Sequence, residues 1–189
     1  DANDAGLQIG VAPNATLMHA KVLNDTGSGS FANVVDGMEW AVDNDADVIS
    51  MSLGSNRYNS DLIEPVRNAQ ANGTVVVAAT GNAGSGTSAS PGNVYDATAV
   101  GAVNVEPAFP EQWSFAITDN TIWKYSSGER INKSMWSAPP ADWPDSYVVP
   151  DVTAPGSIIW SADTDLDAAT MCGNSTPPTD DLACLQGTS

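Results

Sequence analysis

Apolar and polar residues follow two different periods along the first hundred residues. Short apolar runs with the length and β-branched content of buried strands occupy residues 15–23, 47–51, 74–79 and 97–103. Between these runs, apolar residues recur at helical spacing over residues 31–42 and 62–69. Strands that alternate with helices at these intervals predict βαβ units, and therefore a parallel sheet buried between helices on both faces.

Local residue types mark the ends of both predicted helices. Ser30 precedes the first helix and is a residue type that caps helix N-termini. The second helix is expected to end near Asn72 and Gly73. Pro65 lies about one turn inside its apolar pattern, which indicates a later start for this helix than the pattern alone gives.

Three segments place small residues where a backbone has to approach another group closely. Ligands of open parallel sheets bind beyond the carboxyl ends of the strands, so residues just after a strand are candidates. The second predicted strand is followed by Ser52-Leu53-Gly54, and the third by Thr80-Gly81-Asn82-Ala83-Gly84. The third segment of this kind is Gln186-Gly187-Thr188-Ser189.

Residues 104–149 interrupt the alternation of strands and helices. They show no clear period and are predicted to form a long insertion or irregular lobe within one domain. We expect its tryptophans to pack onto the core, with a binding surface as the alternative; they are Trp113, Trp123, Trp136 and Trp143. Strand-like segments return at residues 151–154 and 157–161.

The composition is that of a globular, strongly acidic protein. The 189 residues include 6 Lys+Arg against 23 Asp+Glu, a net charge of −17. Nucleic acid is therefore not an expected partner, because phosphate binding needs a basic surface. A membrane span is not expected either, since no apolar run approaches roughly 20 residues. Adaptation to high salt and ordinary secreted acidity both remain open.

The two cysteines, Cys172 and Cys184, lie in a stretch rich in Gly, Pro, Ser and Thr. No CxxC pair and no nearby histidine accompany them, which argues against zinc. A local disulfide in a secreted protein is the favoured interpretation, and two free thiols are the alternative.

The glycine-rich segments occur in an order that resembles the subtilisin-like serine proteases, or subtilases. Gly10-Val11-Ala12-Pro13 precedes all three segments. Asp151-Val152-Thr153-Ala154-Pro155-Gly156 lies between the second and the third of them. Tyr125-Ser126-Ser127-Gly128 also resembles a motif of the family. The resemblance implies a subtilisin-like three-layer α/β/α fold, with residues 1–189 as an incomplete catalytic domain and 104–149 as an insertion within it.

The resemblance also implies roles for individual residues. Ser189 matches the nucleophile, and Asn82 matches the amide that binds the oxyanion. The walls that hold an extended peptide substrate match Ser52, Leu53, Gly54, Ala78, Ala79 and Gly81. Because Ala79, Gly81 and Ala83 are small, we expect a broad pocket for large apolar side chains. Structural calcium is common in the family; Asp163, Asp165 and Asp167 could bind it, although a solvated acidic loop is favoured.

A serine nucleophile needs a histidine base and an aspartate that orients it. The single histidine, His19, occupies a position that the family fills with an ordinary residue. The family's catalytic Asp and His motifs precede Gly10 and are not found in these 189 residues, so we expect an internal fragment that is inactive by itself. A protease-like domain that only binds peptides is the alternative function. A nucleotide-binding domain is disfavoured, since GxGxxG and a P-loop lysine are missing.

Overall fold

The structure is a computed structural model that describes residues 11–104, 106–107, 115–116, 121–157, 159–162 and 182–188. Its elements in chain order are α1 (Phe31–Asp43), β1 (Val48–Met51), α2 (Ile63–Ala71), β2 (Val75–Ala79), β3 (Thr98–Val103), β4 (Glu106–Pro107), β5 (Phe115–Ala116), β6 (Glu129–Asn132), β7 (Ser146–Val149), β8 (Val152–Pro155), β9 (Ile159–Ala162) and β10 (Leu182–Leu185). None of the helices in these ranges combines the length and the apolar character needed to cross a bilayer.

Four strands form a parallel sheet in the order β1-β2-β3-β8. Met51 is paired with Ala78, and Ala79 with Val100. The predicted parallel α/β architecture is therefore confirmed. The register also brings the carboxyl ends of β1 and β2 side by side, so that the chain leaves both strands at the same edge of the sheet.

Both helices cover the same face of this sheet. Their buried side chains form one core with alternate strand residues; this core includes Val34, Met38, Leu62, Val66, Met51, Val76, Ala78 and Ala99. The intervening strand residues point to the opposite face, where Val48 and Val75 are 55% and 47% exposed. The sequence pattern predicts helices on both faces of the sheet, and the described residues contain the helical layer on one face.

The ends of both helices follow from local chemistry. The Oγ atom of Ser30 accepts a hydrogen bond from the backbone N–H of Asn33, which confirms the predicted N-cap. Helix α2 begins at Ile63, earlier than Pro65 indicated. The first turn of a helix has backbone N–H groups without intrahelical partners, so a proline there removes no helical hydrogen bond.

The strand predicted at residues 15–23 is wrong. This segment has no strand structure, and Leu17 is 87% exposed. Its later part instead packs on α1, where the Val22 side chain lies directly against Gly37. A groove of about 280 Å³, bordered by Met18 and His19, separates it from β1. An apolar run forms a strand only when its backbone groups find a neighbouring strand, and residues 15–23 pair with none of the described strands.

The second half of the segment 104–149 forms a compact hairpin on the core. Strands β6 and β7 pair antiparallel, with Ile131 opposite Tyr147. Trp136 and Trp143 are each 3% exposed and meet edge to face, with ring centroids 5.3 Å apart. The Nε1 of Trp136 donates to the Tyr147 hydroxyl at 3.0 Å. These tryptophans, like the buried Trp123, pack inward as expected; Trp113 lies outside the described residues.

Candidate active site

A cleft opens where the chain leaves β1 and β2. Its volume is about 320 Å³, and it is lined by Ser52, Leu53, Gly54, Asn56, Ala79, Gly81, Asn82, Ala83, Ala89 and Thr188. Six of these residues were predicted from the sequence as wall or oxyanion residues, and a seventh, Thr188, is the neighbour of the predicted nucleophile. The structure thus brings together segments that are more than a hundred positions apart in the chain.

Asn82 and Thr188 are joined by a short hydrogen-bond network. Thr188 donates to Asn82 Oδ1 twice, from its backbone N at 2.9 Å and from Oγ1 at 3.1 Å. The backbone N–H of Gly81 donates to Thr188 Oγ1 at 3.2 Å. Because a backbone N–H can only donate, the amide atom that faces it is the oxygen. The Nδ2 group of Asn82 is therefore on the side of the amide that faces away from Thr188.

Hydrogen bonds to Ser127 hold the turn that carries Asn82 in place. Gly81 has a φ of 109°, a conformation that favours glycine. Its carbonyl accepts from the backbone N–H of Ser127 at 2.8 Å, and the N–H of Ala83 donates to Ser127 Oγ at 3.1 Å. The Oγ1 of Thr80, which is fully buried, lies 3.0 Å from the Val100 carbonyl oxygen and 3.1 Å from that of Ser127, so it can donate to either one. Sequence analysis gave Ser127 no role, although it lies in a segment that resembles a family motif.

The position of Thr188 depends on the end of β8. The backbone N–H of Gly187 donates to the Gly156 carbonyl at 2.8 Å. A Cβ atom on Gly156 would collide with that segment and would lie 2.6 Å from the Ala102 side chain. A glycine at position 156 therefore lets the chain near its end lie against β3 and β8, from where Thr188 reaches Asn82.

Several predicted residues lie elsewhere. Ala78 does not line the cleft: its side chain is 1% exposed in the core, because successive strand residues point to opposite faces. His19 is exposed and borders the groove beside β1 rather than the cleft. Ser189 directly follows Thr188 in the chain and lies outside the described residues.

The predicted disulfide and calcium residues also fall largely outside the described part of the chain. Cys184 lies in β10, whereas Cys172 and the three acidic residues Asp163, Asp165 and Asp167 are not described. Over the ranges that the structure does describe, no three His, Cys, Asp or Glu side chains come together as a metal site. Disulfide and calcium thus remain predictions.

A partly buried polar network includes the segment that follows the cleft residues of β2. The carboxylate of Glu129 accepts from the Tyr58 hydroxyl at 2.7 Å and from Ser88 Oγ at 2.5 Å. Burial raises the pKa of Tyr58 to about 12, and its hydrogen bond to Glu129 adds to this effect. Asn93, which is fully buried, donates through Nδ2 to Ser88 Oγ at 3.0 Å. The network connects β6 with the segment that follows the cleft residues of β2.

Known proteins match both the sequence and the fold. The family model described as the subtilase family matches residues 1–189. Subtilisin DY from Bacillus licheniformis is 47% identical over 100 residues, which are 51% of this chain and 36% of that protein. Subtilisin E from Bacillus subtilis (strain 168) is 46% identical over 100 residues, 51% of this chain and 26% of that protein. The chain thus aligns with about a third or less of these relatives.

A solved structure extends this likeness over nearly the whole chain. The structure named Sphericase superimposes with a TM-score of 0.64 at 28% identity. The match covers 95% of this chain and 51% of that one. The described sheet and helices therefore have the arrangement of a subtilisin-like fold.

Proposed function

The chain belongs to the subtilase family, and on that premise we propose that it forms part of a secreted serine endopeptidase. In this proposal Ser189 is the nucleophile and Asn82 binds the oxyanion of the tetrahedral intermediate. Peptides or proteins are the substrates. Residues 1–189 act as part of the catalytic domain, with residues 104–149 as an insertion within it.

The orientation of the Asn82 amide is the observation that supports this proposal best. Both donors of Thr188 hold Oδ1, at 2.9 and 3.1 Å, so Nδ2 is fixed as a donor before any substrate binds. An amide that is already oriented towards a developing negative charge needs no reorganisation during the reaction. Thr188 is also the residue next to Ser189, so the same segment carries the nucleophile and orients the oxyanion donor.

The proposed reaction proceeds in two stages. The Ser189 oxygen attacks the peptide carbonyl carbon and its proton passes to a base, while the carbonyl oxygen becomes an oxyanion bound by Asn82. Collapse of this intermediate returns the proton to the leaving amine and leaves an acyl ester on Ser189. Water then hydrolyses the ester. His19 is not assigned as the base, and the 189-residue chain by itself is expected to be inactive.

The walls of the cleft are proposed to hold the substrate backbone. Ser52, Leu53 and Gly54, which follow β1, and Ala79 and Gly81, at the end of β2 and just after it, line the cleft. An extended peptide can add to such a wall as a further strand, through main-chain hydrogen bonds. No step requires a metal ion or a cofactor.

Secretion is proposed together with the protease activity. An extracellular site agrees with the acidic composition and with a disulfide between Cys172 and Cys184. A high-salt or marine medium and structural calcium at Asp163, Asp165 and Asp167 remain proposals of the same kind. Loss of thermal stability on chelation would support the calcium site, and an unchanged melting temperature would contradict it.

The function is tested by substitutions in the full-length product of the gene. Ser189→Ala should abolish hydrolysis of a chromogenic peptide, and Asn82→Ala should lower kcat by about 10²–10³, the magnitude known for such a donor in a subtilisin. Thr188→Val keeps the backbone donor but removes the hydroxyl, so we expect a smaller loss in kcat with little change in KM. Asn44→Ala, at the exposed end of α1, is the matched control and should remain fully active.

The outcomes distinguish catalysis from binding. The proposal is supported if Ser189→Ala abolishes hydrolysis and Asn82→Ala lowers kcat by a smaller factor. Peptide binding without hydrolysis in the full-length protein would contradict it and favour the protease-like binding domain. Hydrolysis that survives Ser189→Ala would assign the reaction to another residue.

A further inference from the structure

The basic residues of this acidic chain are few, and most of them have partners within the fold. All six lie in the described ranges. Four of them donate hydrogen bonds: Lys21 to Asp25, Arg67 to Asp142, Arg130 to Ser146, and Lys133 to the carbonyls of Ala141 and Trp143. The side chains of Arg57 and Lys124 are exposed and form no hydrogen bond or ion pair with any described residue. The charges of these two side chains can therefore meet a ligand.

Arg57 lies beside the cleft, in the chain that follows β1. It comes directly after Asn56, which lines the cleft. Its main chain is well anchored, since the backbone N–H donates to the Ser55 carbonyl at 2.7 Å. The Arg57 carbonyl oxygen lies 2.6 Å from Ser90 Oγ and 3.3 Å from Asn93 Nδ2, and both of these residues are fully buried. An exposed guanidinium is therefore attached to a main chain that cannot leave the cleft at low cost.

Lys124 lies against the segment that follows β2. The backbone N–H of Gly84 donates to the Tyr125 carbonyl at 2.9 Å, and a Cβ atom built on Gly84 would lie 3.4 Å from the Lys124 carbonyl oxygen. Gly84 comes directly after Asn82 and Ala83, which both line the cleft. The Nζ atom of Lys124 lies 4.6 Å from the centroid of the Tyr125 ring. Such a contact holds an ammonium group in place without neutralising its charge.

The charges beside the cleft differ in sign from the net charge of the chain. The whole sequence carries −17, but none of the described residues that line the cleft is charged. Glu129, in the neighbouring network, is partly buried and accepts hydrogen bonds from Tyr58 and Ser88. Exposed charges more than about 10 Å apart are largely screened at 0.1 M salt. A bound peptide therefore interacts chiefly with the charges closest to the cleft.

We propose that Arg57 and Lys124 are specificity-determining residues, which select peptide substrates with acidic side chains near the cleaved bond. This inference rests on the proposed function. A guanidinium can bind a carboxylate through two parallel N–H···O bonds, whereas an ammonium acts as a point charge. Arg57 therefore contributes more than Lys124. The predicted pocket for a large apolar side chain lies within the uncharged cleft, so the acidic side chains occupy flanking positions of the peptide.

The test uses fluorogenic peptides that differ at one position, which holds glutamate, its neutral isostere glutamine, or lysine. This position is moved through the three residues on each side of the cleaved bond. Residues of an extended peptide are about 3.3 Å apart, so Arg57 and Lys124 act at different positions. With the full-length gene product, we expect kcat/KM to be higher for glutamate than for glutamine by about 5-fold at one position and about 2-fold at another. Arg57→Gln should abolish the larger preference, and Lys124→Gln the smaller one.

Two further variants separate a local ion pair from a change in net charge. Arg130→Gln removes one positive charge from the exposed side of β6 and should leave both preferences unchanged, whereas Arg57→Lys should retain part of the larger one. Salt at 1 M should reduce both preferences, because it shortens the screening length to about 3 Å. Equal rates for glutamate and glutamine at every position, or preferences that persist in both glutamine variants, would overturn the inference while hydrolysis itself still supported the proposed function.

Failure of the proposed function has a different signature. If none of the peptides is hydrolysed, fluorescence anisotropy of the same labelled peptides measures their binding to the wild type and to Arg57→Gln. Tighter binding of a glutamate peptide than of its glutamine counterpart, lost in Arg57→Gln, would then support charge selection without catalysis. The same affinity for the glutamate and glutamine peptides would overturn it.

Discussion

Two segments of this chain are comparably apolar but adopt different structures. Residues 74–79 form the buried strand β2, in which Val76 is fully buried. Residues 15–23 have a comparable pattern but no strand structure, and Leu17 is 87% exposed. The difference lies in the neighbours: β2 has β1 on one side and β3 on the other, whereas residues 15–23 have no paired strand. Apolar pattern selects candidates for strands, and pairing decides among them.

The same contrast applies to glycines. Gly92 packs against the main chain of β2, whereas Gly27, in the turn that follows the exposed segment, has nothing within 4 Å of its Cβ direction. Gly92 allows two main-chain segments to approach closely, whereas Gly27 is required only by a left-handed turn with a φ of 73°. The same substitution made in both regions therefore shows how much more the packing around β2 contributes to the free energy of unfolding.

The largest effect is expected for Gly92→Ala. The new methyl group would collide with the Ala79 carbonyl, which belongs to the sheet and the cleft wall. We expect the free energy of unfolding in urea to fall by about 4 kcal/mol. Gly27→Ala, the matched control, should cost only about 1–2 kcal/mol, from backbone strain. Equal losses would show that close packing at Gly92 is not what the structure indicates.

A medium effect is expected for Leu62→Ala. Leu62 is fully buried in the core beneath the sheet, so its truncation leaves a cavity and should cost about 3 kcal/mol. Leu17→Ala makes the same chemical change at an exposed position and should alter stability by less than about 0.5 kcal/mol. A large loss for Leu17→Ala would mean that residues 15–23 pack against the sheet after all.

The smallest effect is a pH dependence. The unfolded chain ionises Tyr58 near pH 10.0, but burial and Glu129 raise the folded pKa to about 12. Between these values the unfolded state binds fewer protons, so stability decreases as the pH rises from 10 to 12. Melting temperatures should fall less steeply over this range in Tyr58→Phe than in the wild type. Leu17→Ala should retain the wild-type slope, and the same slope in Tyr58→Phe would rule out this contribution.

Some residues of the cleft could be predicted from the sequence, and others could not. Asn82 and the wall residues Ser52, Leu53 and Gly54 could be found from motifs, because each motif places small or amide-bearing residues just after a strand. Ala89 and Asn56 could not, since neither lies in a segment with a distinctive pattern. The Ala78 side chain lies in the core instead, since a motif names neighbouring residues without saying which face of the strand each one occupies.

The sequence by itself determined the parallel α/β class, both helices with the Ser30 cap, and the family. These features depend on periodicity and on interactions between residues that are close together in the chain. Tertiary structure alone decided that residues 15–23 form no strand, that Thr188 orients the Asn82 amide, and that Asn56 and Ala89 line the cleft. Each of these depends on contacts between residues far apart in the chain, because strand pairing, amide orientation and the lining of a cleft are set by the partners that folding brings together.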